Sequence, residues 1–227
     1  MTNSVIVPAY NESKRIAPFL KILVDFLKNG DYELIVVDDG SSDNTIEVVK
    51  KIVVSFKRLK IISYKPNMGK GHAVKTGVLA AKGEYIIFID ADGSIQPNEI
   101  LKMEKMLNLY DVVVGDRSSV LSKIKQPAVR KILGVVFNNY METLFNVNVT
   151  DFLCGFKGFK KHAAHKLFKD LISPRWIFDV EIFYRARKNR YSIHKLPIKW
   201  VHKPDTKIKS LDPLKMFFEA LVLRLRL

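Results

Sequence analysis

The sequence has a single cysteine, no long apolar run and no leader-like beginning. Cys154 has no partner for an internal disulfide, which excludes a disulfide-stapled secreted domain and a cysteine-built zinc site. No stretch approaches the roughly 18 uninterrupted apolar residues of a spanning helix. The first residues run straight into a strand-like segment, without the basic and apolar regions of a secretory signal. We therefore expect a cytoplasmic protein.

The overall composition is that of a soluble globular protein, but its charge is distributed unevenly. The 227 residues are 48% hydrophobic and 27% charged, which excludes wholesale disorder and favours one mid-sized α/β domain. The net charge of +15 is concentrated in residues 119–227, which carry +14, against +1 for residues 1–118. This asymmetry indicates an anionic partner, namely nucleic acid, a membrane surface or a phosphorylated substrate. An ordinary lysine-rich surface would explain it as well.

The first half of the chain alternates between strand and helix patterns. Its short β-branched runs are Ser4–Val7, Glu33–Val37, Leu59–Ser63, Glu84–Ile89 and Asp111–Val114. The helix-length segments between them are Ser13–Lys28, Asp43–Phe56, Gly69–Ala81 and Pro97–Leu109. This alternation predicts a mostly parallel sheet with helices on both faces. Ligands of such sheets bind at the carboxyl ends of the strands.

The second half is less regular. Helical patterns over Ala128–Phe145 and Ile177–Lys188 flank a Gly-Phe repeat at 155–159, and a strand-like run covers His194–Val201. We predict a catalytic domain over residues 1–210 and an amphipathic helix over residues 211–227, begun by Asp212 and Pro213.

The loops after the first two strands carry polar side chains. In the first loop, Tyr10 offers a stacking face and Glu12 an acceptor for a base edge, although Asn11 or Ser13 could equally be there to cap the next helix. The second loop, Asp38-Asp39-Gly40-Ser41-Ser42-Asp43, places carboxylates where a ribose or base could bind. Turn and capping chemistry is the alternative for this loop too.

A glycine-rich segment, Asn67-Met68-Gly69-Lys70-Gly71, opens the third helix. Backbone N–H groups at a helix start, together with Lys70, can hold an anion. The spacing is not that of a P-loop, and the need for small residues in packing explains the segment nearly as well.

The strongest signal follows the apolar strand at 85–89 and reads Asp90-Ala91-Asp92-Gly93. Two carboxylates on alternate residues repel each other unless a cation lies between them. Oxygen ligands shared with substrate phosphates suit a hard divalent cation, so Asp90 and Asp92 predict a metal site. A capped turn before Pro97 is the simpler alternative.

Taken in order, these segments resemble the family 2 glycosyltransferases of the GT-A (Rossmann-like) fold, and most closely the polyprenyl (dolichyl) phosphate sugar synthases. Four further segments are similar to the dolichyl-phosphate glucosyltransferase branch. They are Gly115-Asp116-Arg117, Asp151-Phe152-Leu153-Cys154-Gly155-Phe156-Lys157, Arg175-Trp176-Ile177-Phe178-Asp179-Val180-Glu181 and Lys199-Trp200. The similarity covers nearly the whole chain.

The resemblance implies a role for particular residues. The nucleotide sugar, UDP-glucose first and GDP-mannose second, would be bound by Pro8, Ala9, Tyr10, Glu12, Val37, Asp39, Lys70, Asp90, Ala91 and Asp92. Asp90 and Asp92 would hold Mg²⁺ or Mn²⁺ against the diphosphate. Some relatives have a glutamine where this chain has Ser94. Arg117 and Arg130 match arginines that engage the acceptor phosphate.

The implied reaction is inverting transfer of a hexose to the phosphate of a polyprenyl phosphate. That acceptor is already anionic, so it needs arginine forks for positioning rather than a strong base. Asp179 and Glu181 occupy the place where other family members keep a base for hydroxyl acceptors. Here we expect them to orient Arg117, Arg130 or the sugar, or else to pair with Arg175 or Arg185 at the helix start. The five catalytic candidates are therefore Asp92, Arg117, Arg130, Asp179 and Glu181.

A lipid acceptor places the enzyme at the cytoplasmic face of a membrane. The apolar tail Leu214–Leu227 and the basic second half predict peripheral docking, with packing of the tail under the domain as the alternative. Other functions left open are a GDP-mannose-dependent synthase, transfer to a hydroxyl acceptor and, more remotely, a basic nucleic-acid-binding protein. We expect no nucleic-acid partner, because no recognition motif for one is present. The sequence leaves a homo-oligomer open.

Overall fold

The computed structural model describes residues 2–53, 56–125, 128–203 and 212–227. Its strands are β1 (Asn3–Ala9), β2 (Tyr32–Asp38), β3 (Leu59–Ser63), β4 (Tyr85–Ile89), β5 (Val112–Asp116), β6 (Lys123–Lys125), β7 (Phe156–Lys160), β8 (Ile193–Pro197) and β9 (Lys199–Val201). Its helices are α1 (Ile16–Leu27), α2 (Thr45–Val53), α3 (Lys70–Ala80), α4 (Glu99–Leu107), α5 (Ala128–Phe145), α6 (Lys161–Lys169), α7 (Phe178–Lys188) and α8 (Asp212–Arg226).

Seven strands form the main sheet, in the order β3-β2-β1-β4-β7-β5-β8. Every pairing in it is parallel except those of β7, which runs antiparallel to both β4 and β5. The short strands β6 and β9 make a second, parallel pair. The predicted mostly parallel α/β sheet is confirmed.

Both faces of this sheet are buried. Side chains alternate between the two sides of a strand, so strands that are apolar almost throughout present apolar side chains to the helices on both sides. On one side, Ile6, Val37 and Phe88 pack with α3 and α5 to α8. On the other side, Val5 and Val36 pack with α1, α2 and α4. The predicted helices on both faces are therefore present, and two hydrophobic layers hold the strand ends in fixed positions.

The second half contains regular elements that the sequence pattern did not predict. The Gly-Phe repeat is the central strand β7, and helix α6 follows it directly. The sequence did not predict this strand, because glycine is unfavourable in a strand interior and Lys157 interrupts the apolar pattern. The single run predicted over His194–Val201 is in fact two strands in different sheets, separated at Ile198.

The first helix also begins differently from the prediction. Neither Asn11 nor Ser13 caps α1, which starts at Ile16 after Arg15 without a side-chain cap. Asn11 instead has a positive φ of 51°, and its side-chain oxygen accepts a hydrogen bond from the backbone N–H of Ser42 at 2.8 Å. The first loop is thereby tied to the second. The capping expected of the second loop is present, since Asp43 accepts a hydrogen bond from the backbone N–H of Thr45 at 3.0 Å.

Helix α8 packs against α5 and adds to the core on that side of the sheet. Met216, Ala220 and Leu223 are buried, and the ring of Phe217 lies 4.7 Å from that of Tyr140. The predicted boundary at residues 210 and 211 lies outside the described residues. No helix in the described ranges is both long enough and apolar enough to span a membrane.

Candidate active site

The candidate site lies where the order of the strands changes direction. The chain passes from β1 outward to β2 and β3, then returns to place β4 on the other side of β1. β2 and β4 lie on opposite sides of β1, and the point at which the strand order reverses leaves a crevice at the carboxyl ends of β1 and β4. The loop at 10–13 and the segment Asp90-Ala91-Asp92 both begin at this crevice.

Asp90 is the first residue beyond β4, and β7 holds it from the opposite side. Its backbone N–H donates to the carbonyl oxygen of Gly155 at 2.9 Å. Asp92 follows in a tight turn, in which its Oδ1 accepts a hydrogen bond from the backbone N–H of Ser94 at 2.9 Å. Both carboxylates are partly exposed, whereas Ala91 between them is buried.

Lys70, at the start of α3, reaches into the same crevice. Its Nζ lies 2.6 Å from Oδ1 of Asp90 and 5.9 Å from the centre of the Trp176 ring. Burial lowers the pKa of Lys70, but the attraction of Asp90, Asp179 and Asp92 outweighs burial, and the pKa lies above its usual value. Lys70 is thus a fixed cation at the predicted metal and phosphate position.

Asp39 has a structural partner that the sequence did not reveal. Its carboxylate accepts hydrogen bonds from the Asn67 side chain at 2.7 Å and from the backbone N–H groups of Met68 and Gly69, both at 2.8 Å. Asp39 therefore anchors the glycine-rich loop and, through it, the start of α3. Gly69 has φ of +105°, a conformation that side chains rarely adopt.

Of the other residues predicted to bind the nucleotide, Tyr10 is exposed, whereas the rest are buried or half-buried. Tyr10 is 38% exposed at the mouth of the crevice and can offer its ring to a base. The carboxylate of Glu12 is buried and bound by Arg15, with one contact at 2.7 Å. Ala9 is buried, and Val37 is wholly buried in the core below α3, so their side chains do not line the crevice. Pro8 is half-buried in β1.

Arg117 directly follows β5 at the same edge of the sheet. Its Nε and one terminal nitrogen each lie 2.7 Å from an oxygen of Asp151, forming a two-pronged ion pair. The guanidinium also lies 5.3 Å from the centre of the Trp200 ring. Burial lowers the pKa of Arg117, and Asp151 more than compensates, so the side chain stays charged. Arg130 lies in α5, but its side chain lies outside the described residues.

Asp179 and Glu181 stand in the first turn of α7 and are both buried. Glu181 accepts hydrogen bonds from the backbone N–H groups of Ile172 and Ser173, at 2.9 and 2.8 Å, and pairs with Arg185 at 2.7 Å. Oδ1 of Asp179 lies 2.8 Å from Nζ of Lys157. Of the ion pairs that the sequence left open at this helix start, the one between Glu181 and Arg185 is present.

The residues at the end of β4 fit a divalent cation. Carboxylate oxygens are the ligands that Mg²⁺ and Mn²⁺ prefer, and the ammonium of Lys70 already shows that Asp90 attracts a cation here. Among the described residues, no group of three or more potential ligand side chains comes together. A cation at Asp90 and Asp92 would therefore share oxygen ligands with a bound phosphate or with water.

The segment from Asp151 to Lys157 supplies three contacts of the site, and sequence reasoning assigned a role to none of them. Asp151 holds Arg117, Gly155 lies against Asp90, and Lys157 pairs with Asp179. The signal that could have found them was present, because an acidic residue, a glycine and a lysine interrupt an otherwise apolar stretch. In such surroundings charged residues are nearly always paired.

Gly155 leaves space that the Asp90 side chain fills. A Cβ at position 155 would overlap the Asp90 carboxylate, whereas a Cβ at Gly134 in α5 would meet nothing within 4 Å. We expect Gly155→Ala to displace Asp90 and lower the transfer rate about 100-fold, the usual effect of a shift near 1 Å. Gly134→Ala is the matched control and should keep full activity. Equal activities of the two variants in a transfer assay would contradict the close packing at Asp90.

These features together define the class of protein. A doubly wound sheet with two carboxylates and a half-buried lysine at its switch point, and a positioned arginine further along the same edge, is the arrangement of an α/β enzyme that acts on a phosphorylated, nucleotide-like ligand. Comparison with known proteins makes the class specific. Residues 4–168 match the model of the family "Glycosyl transferase family 2".

Several relatives are about one third identical to this chain over the region that aligns with it. A dolichyl-phosphate beta-glucosyltransferase of Trichomonas vaginalis is 35% identical, with 93% of this chain and 67% of the relative covered. Those of Saccharomyces cerevisiae and Homo sapiens are each 31% identical over 98% of this chain, and 74% and 75% of their own lengths are covered. The chain belongs to glycosyl transferase family 2 and is a glycosyltransferase.

A solved structure shows the same fold. A glucosyl-3-phosphoglycerate synthase from Mycobacterium tuberculosis, crystallised with Mn²⁺, UDP and phosphoglyceric acid, superimposes with a TM-score of 0.73. The two are 20% identical, and the match covers 98% of this chain and 78% of the other. This likeness confirms the predicted GT-A fold.

Proposed function

We propose that this chain transfers glucose from UDP-glucose to the phosphate of a polyprenyl phosphate, with Mg²⁺ or Mn²⁺ held by Asp90 and Asp92. One observation carries the proposal: the two carboxylates and Lys70 meet at one end of the crevice, and the fork of Arg117 follows β5, which is separated from β4 by β7 alone, at the same edge of the sheet. The names of the relatives support glucose as the sugar and dolichyl phosphate as the acceptor. The nucleotide and the metal are our inference.

The acceptor side of the reaction needs a cation rather than a base. A phosphate monoester is already ionised at neutral pH, so its oxygen can attack without losing a proton first. Arg117 is suited to hold it, because Asp151 fixes the plane of the guanidinium and leaves one terminal nitrogen outside the two-pronged contact. Arg130 is proposed as the second arginine at this phosphate.

The donor side must stabilise a departing diphosphate. A divalent cation at Asp90 and Asp92 would neutralise the negative charge that develops there. Lys70 adds a fixed positive charge beside Asp90, and Asp39 keeps Lys70 in place by anchoring the start of α3. Tyr10 can cover the base at the mouth of the crevice.

The bond changes balance without a proton shuttle. The acceptor oxygen forms a bond to the anomeric carbon of glucose while the bond from that carbon to the diphosphate oxygen breaks. The electron pair of that bond leaves with UDP. A single displacement inverts the carbon, so an α-linked donor gives a β-linked lipid phosphate. The beta linkage in the relatives' names agrees with this outcome.

Transfer to a hydroxyl acceptor is the second candidate function, and it needs a base to remove the proton of the hydroxyl. Glu181 is wholly buried, and its carboxylate is bound by two backbone N–H groups and Arg185. Asp179 is buried beside Lys157. Neither carboxylate is placed to take a proton from a hydroxyl in this conformation, which favours the acceptor that is already ionised.

The acceptor class can be tested with two lipids that differ only in the phosphate. Labelled UDP-glucose and Mn²⁺ are incubated with a short polyprenyl phosphate or with the corresponding polyprenol, and label is followed into the organic phase. We expect label with the phosphate alone. Label on the polyprenol would favour the hydroxyl reading, and label on neither lipid would overturn the proposal.

A lipid acceptor requires contact with a bilayer, and we propose that helices α5 and α8 provide it. They pack together, yet both expose large apolar side chains. These side chains, which we call the α5–α8 face, are Ile132, Leu133, Val135, Val136, Phe218, Leu221 and Leu225. Both helices belong to residues 119–227, whose basic excess suits anionic lipid. The proposed location is therefore the cytoplasmic side of a membrane.

Charge introduced on the α5–α8 face should weaken membrane binding. Phe218 and Leu225 are 69% and 85% exposed, so Phe218→Asp with Leu225→Asp should leave the core intact. Burying each apolar side chain in lipid contributes about 1.5–3 kcal/mol, so the pair should lower vesicle affinity by more than about tenfold. Co-sedimentation with phosphatidylcholine vesicles, with and without phosphatidylserine, measures the effect.

The control introduces the same charge at exposed apolar residues outside the α5–α8 face. Ile22 on α1 and Leu109 after α4 are also exposed, at 52% and 70%. Helices α1 and α4 pack on the face of the sheet opposite to α5 and α8. Ile22→Asp with Leu109→Asp should therefore sediment like the unchanged protein. Equal loss in both double variants, or in neither, would speak against the α5–α8 face as the docking surface.

A further inference from the structure

A lysine and an aspartate lie buried together beneath the site. The side chain of Lys157, on the central strand β7, has no exposed surface, and that of Asp179 is only 3% exposed. Removing two charges from water costs several kcal/mol for each ion before their attraction is counted. Replacing a buried ion pair by well-packed apolar residues is often neutral or stabilising. The pair therefore calls for a functional explanation.

The surroundings of Lys157 form a closed cage for an ammonium group. Its Nζ lies 2.5 Å from the carbonyl oxygen of Cys154 and 2.8 Å from Oδ1 of Asp179. The rings of Phe88 and Phe183 lie on its other sides, with their centres at 5.3 and 5.5 Å. Ring faces and carbonyl oxygens attract cations, so the cage suits an ammonium group inside the core.

Asp179 connects this cage to the crevice. The charged groups that act on it are Lys157 from β7, Lys70 from α3 and Asp90 beyond β4. Burial raises the pKa of Asp179 above its ordinary value, and the two lysines oppose this effect. The ion pair of Lys157 with Asp179 and that of Lys70 with Asp90 are thus linked by the attraction between Asp179 and Lys70.

We propose that Lys157 is a positioning residue, which holds Asp179 as a carboxylate against the Lys70–Asp90 pair. Without the ammonium, only Lys70 would oppose the effect of burial, so the pKa of Asp179 would rise further and its side chain would take up a proton more readily. A neutral Asp179 would no longer attract Lys70, and Lys70 would be held less firmly beside Asp90. Lys157 touches neither substrate nor metal in this account. The kinetic part of the test rests on the proposed function.

The first test needs no substrate. Titration of carboxyl groups by ¹³C NMR, with the Asp179 signal assigned by its loss in Asp179→Asn, reads the pKa of Asp179 directly. We expect Lys157→Met to raise that pKa by at least about one unit. The matched control is Lys160→Met, which removes a lysine from the exposed end of the same strand and should leave the pKa unchanged. An unchanged pKa in Lys157→Met would overturn the proposal.

The second test is a double-mutant cycle on the transfer rate. If Lys157 acts only through Asp179, adding Lys157→Met to Asp179→Asn should change the rate by less than about twofold. The double variant buries no charge at either position, so it remains testable even if Lys157→Met alone fails to fold. Rate losses that multiply in the double variant would show a separate role for Lys157 and contradict the proposal.

The pH profile distinguishes positioning from general support of the fold. Removing the ammonium makes Asp179 bind its proton at higher pH, so the acid limb of kcat/KM should move to higher pH and activity should recover as the pH rises. A loss by the same factor at every pH would mean a merely structural role. If the unchanged protein transfers no glucose, the proposed function fails, while the NMR titration still decides the role of Lys157.

Discussion

Replacing Asp92 by asparagine is expected to lower the rate of glucose transfer at least about 1,000-fold while the chain stays folded. The amide keeps the size of the side chain and can still accept the hydrogen bond from the backbone N–H of Ser94. Only the negative charge is lost, and with it the proposed coordination of the cation. Stabilisation of a departing diphosphate by a metal contributes several kcal/mol, and each 1.36 kcal/mol is about tenfold in rate.

The control for Asp92 is a carboxylate remote from the crevice. The side chain of Asp25 on α1 is 76% exposed and pairs only loosely with Lys28, so Asp25→Asn should keep full activity. Rates are measured over a range of Mn²⁺ concentrations, with circular dichroism as the check on folding. A rate for Asp92→Asn within tenfold of the unchanged protein would mean that this carboxylate holds no catalytic cation.

Arg117→Lys is expected to lower kcat/KM for the lipid phosphate about 100-fold, with little change in KM for the donor. Lysine keeps the positive charge, so Asp151 is not left without a cation in the core. It cannot make the two parallel contacts that fix the plane of the guanidinium, nor offer a second nitrogen to a phosphate. The loss should therefore appear on the acceptor side of the reaction.

Steady-state kinetics with either substrate varied separates these effects. Arg58→Lys is the matched control, because Arg58 is half exposed and pairs with Asp31 far from the crevice. It should leave both KM values unchanged. An unaltered acceptor KM in Arg117→Lys, or a loss confined to the donor, would place Arg117 on the nucleotide instead.

The sequence pattern predicted the first half of the fold because its elements obey local rules. Strands β1 to β5 are apolar runs bounded by turn residues, and each predicted run overlaps the observed strand. The carboxylates that follow β2 and β4 were identifiable for the same reason, since a parallel sheet brings the carboxyl ends of its strands to one edge.

The second half depended on partners that a linear pattern does not show. The sequence pattern did not predict β7, because a lysine such as Lys157 indicates an exposed position unless its buried partner Asp179 is known. Asp39 and Glu181 accept hydrogen bonds from backbone N–H groups of neighbouring loops, and the sequence pattern did not reveal these partners. Such contacts join segments distant in sequence, and only the folded chain brings them together.

The central claim is that this glycosyltransferase takes glucose from UDP-glucose and gives it to a lipid phosphate. The most direct measurement supplies labelled UDP-glucose and labelled GDP-mannose in parallel to the protein, with Mn²⁺ and a short polyprenyl phosphate. We expect label in the organic phase from UDP-glucose alone, and none with Asp92→Asn. Lipid-linked label from GDP-mannose instead, or from neither donor, would contradict it.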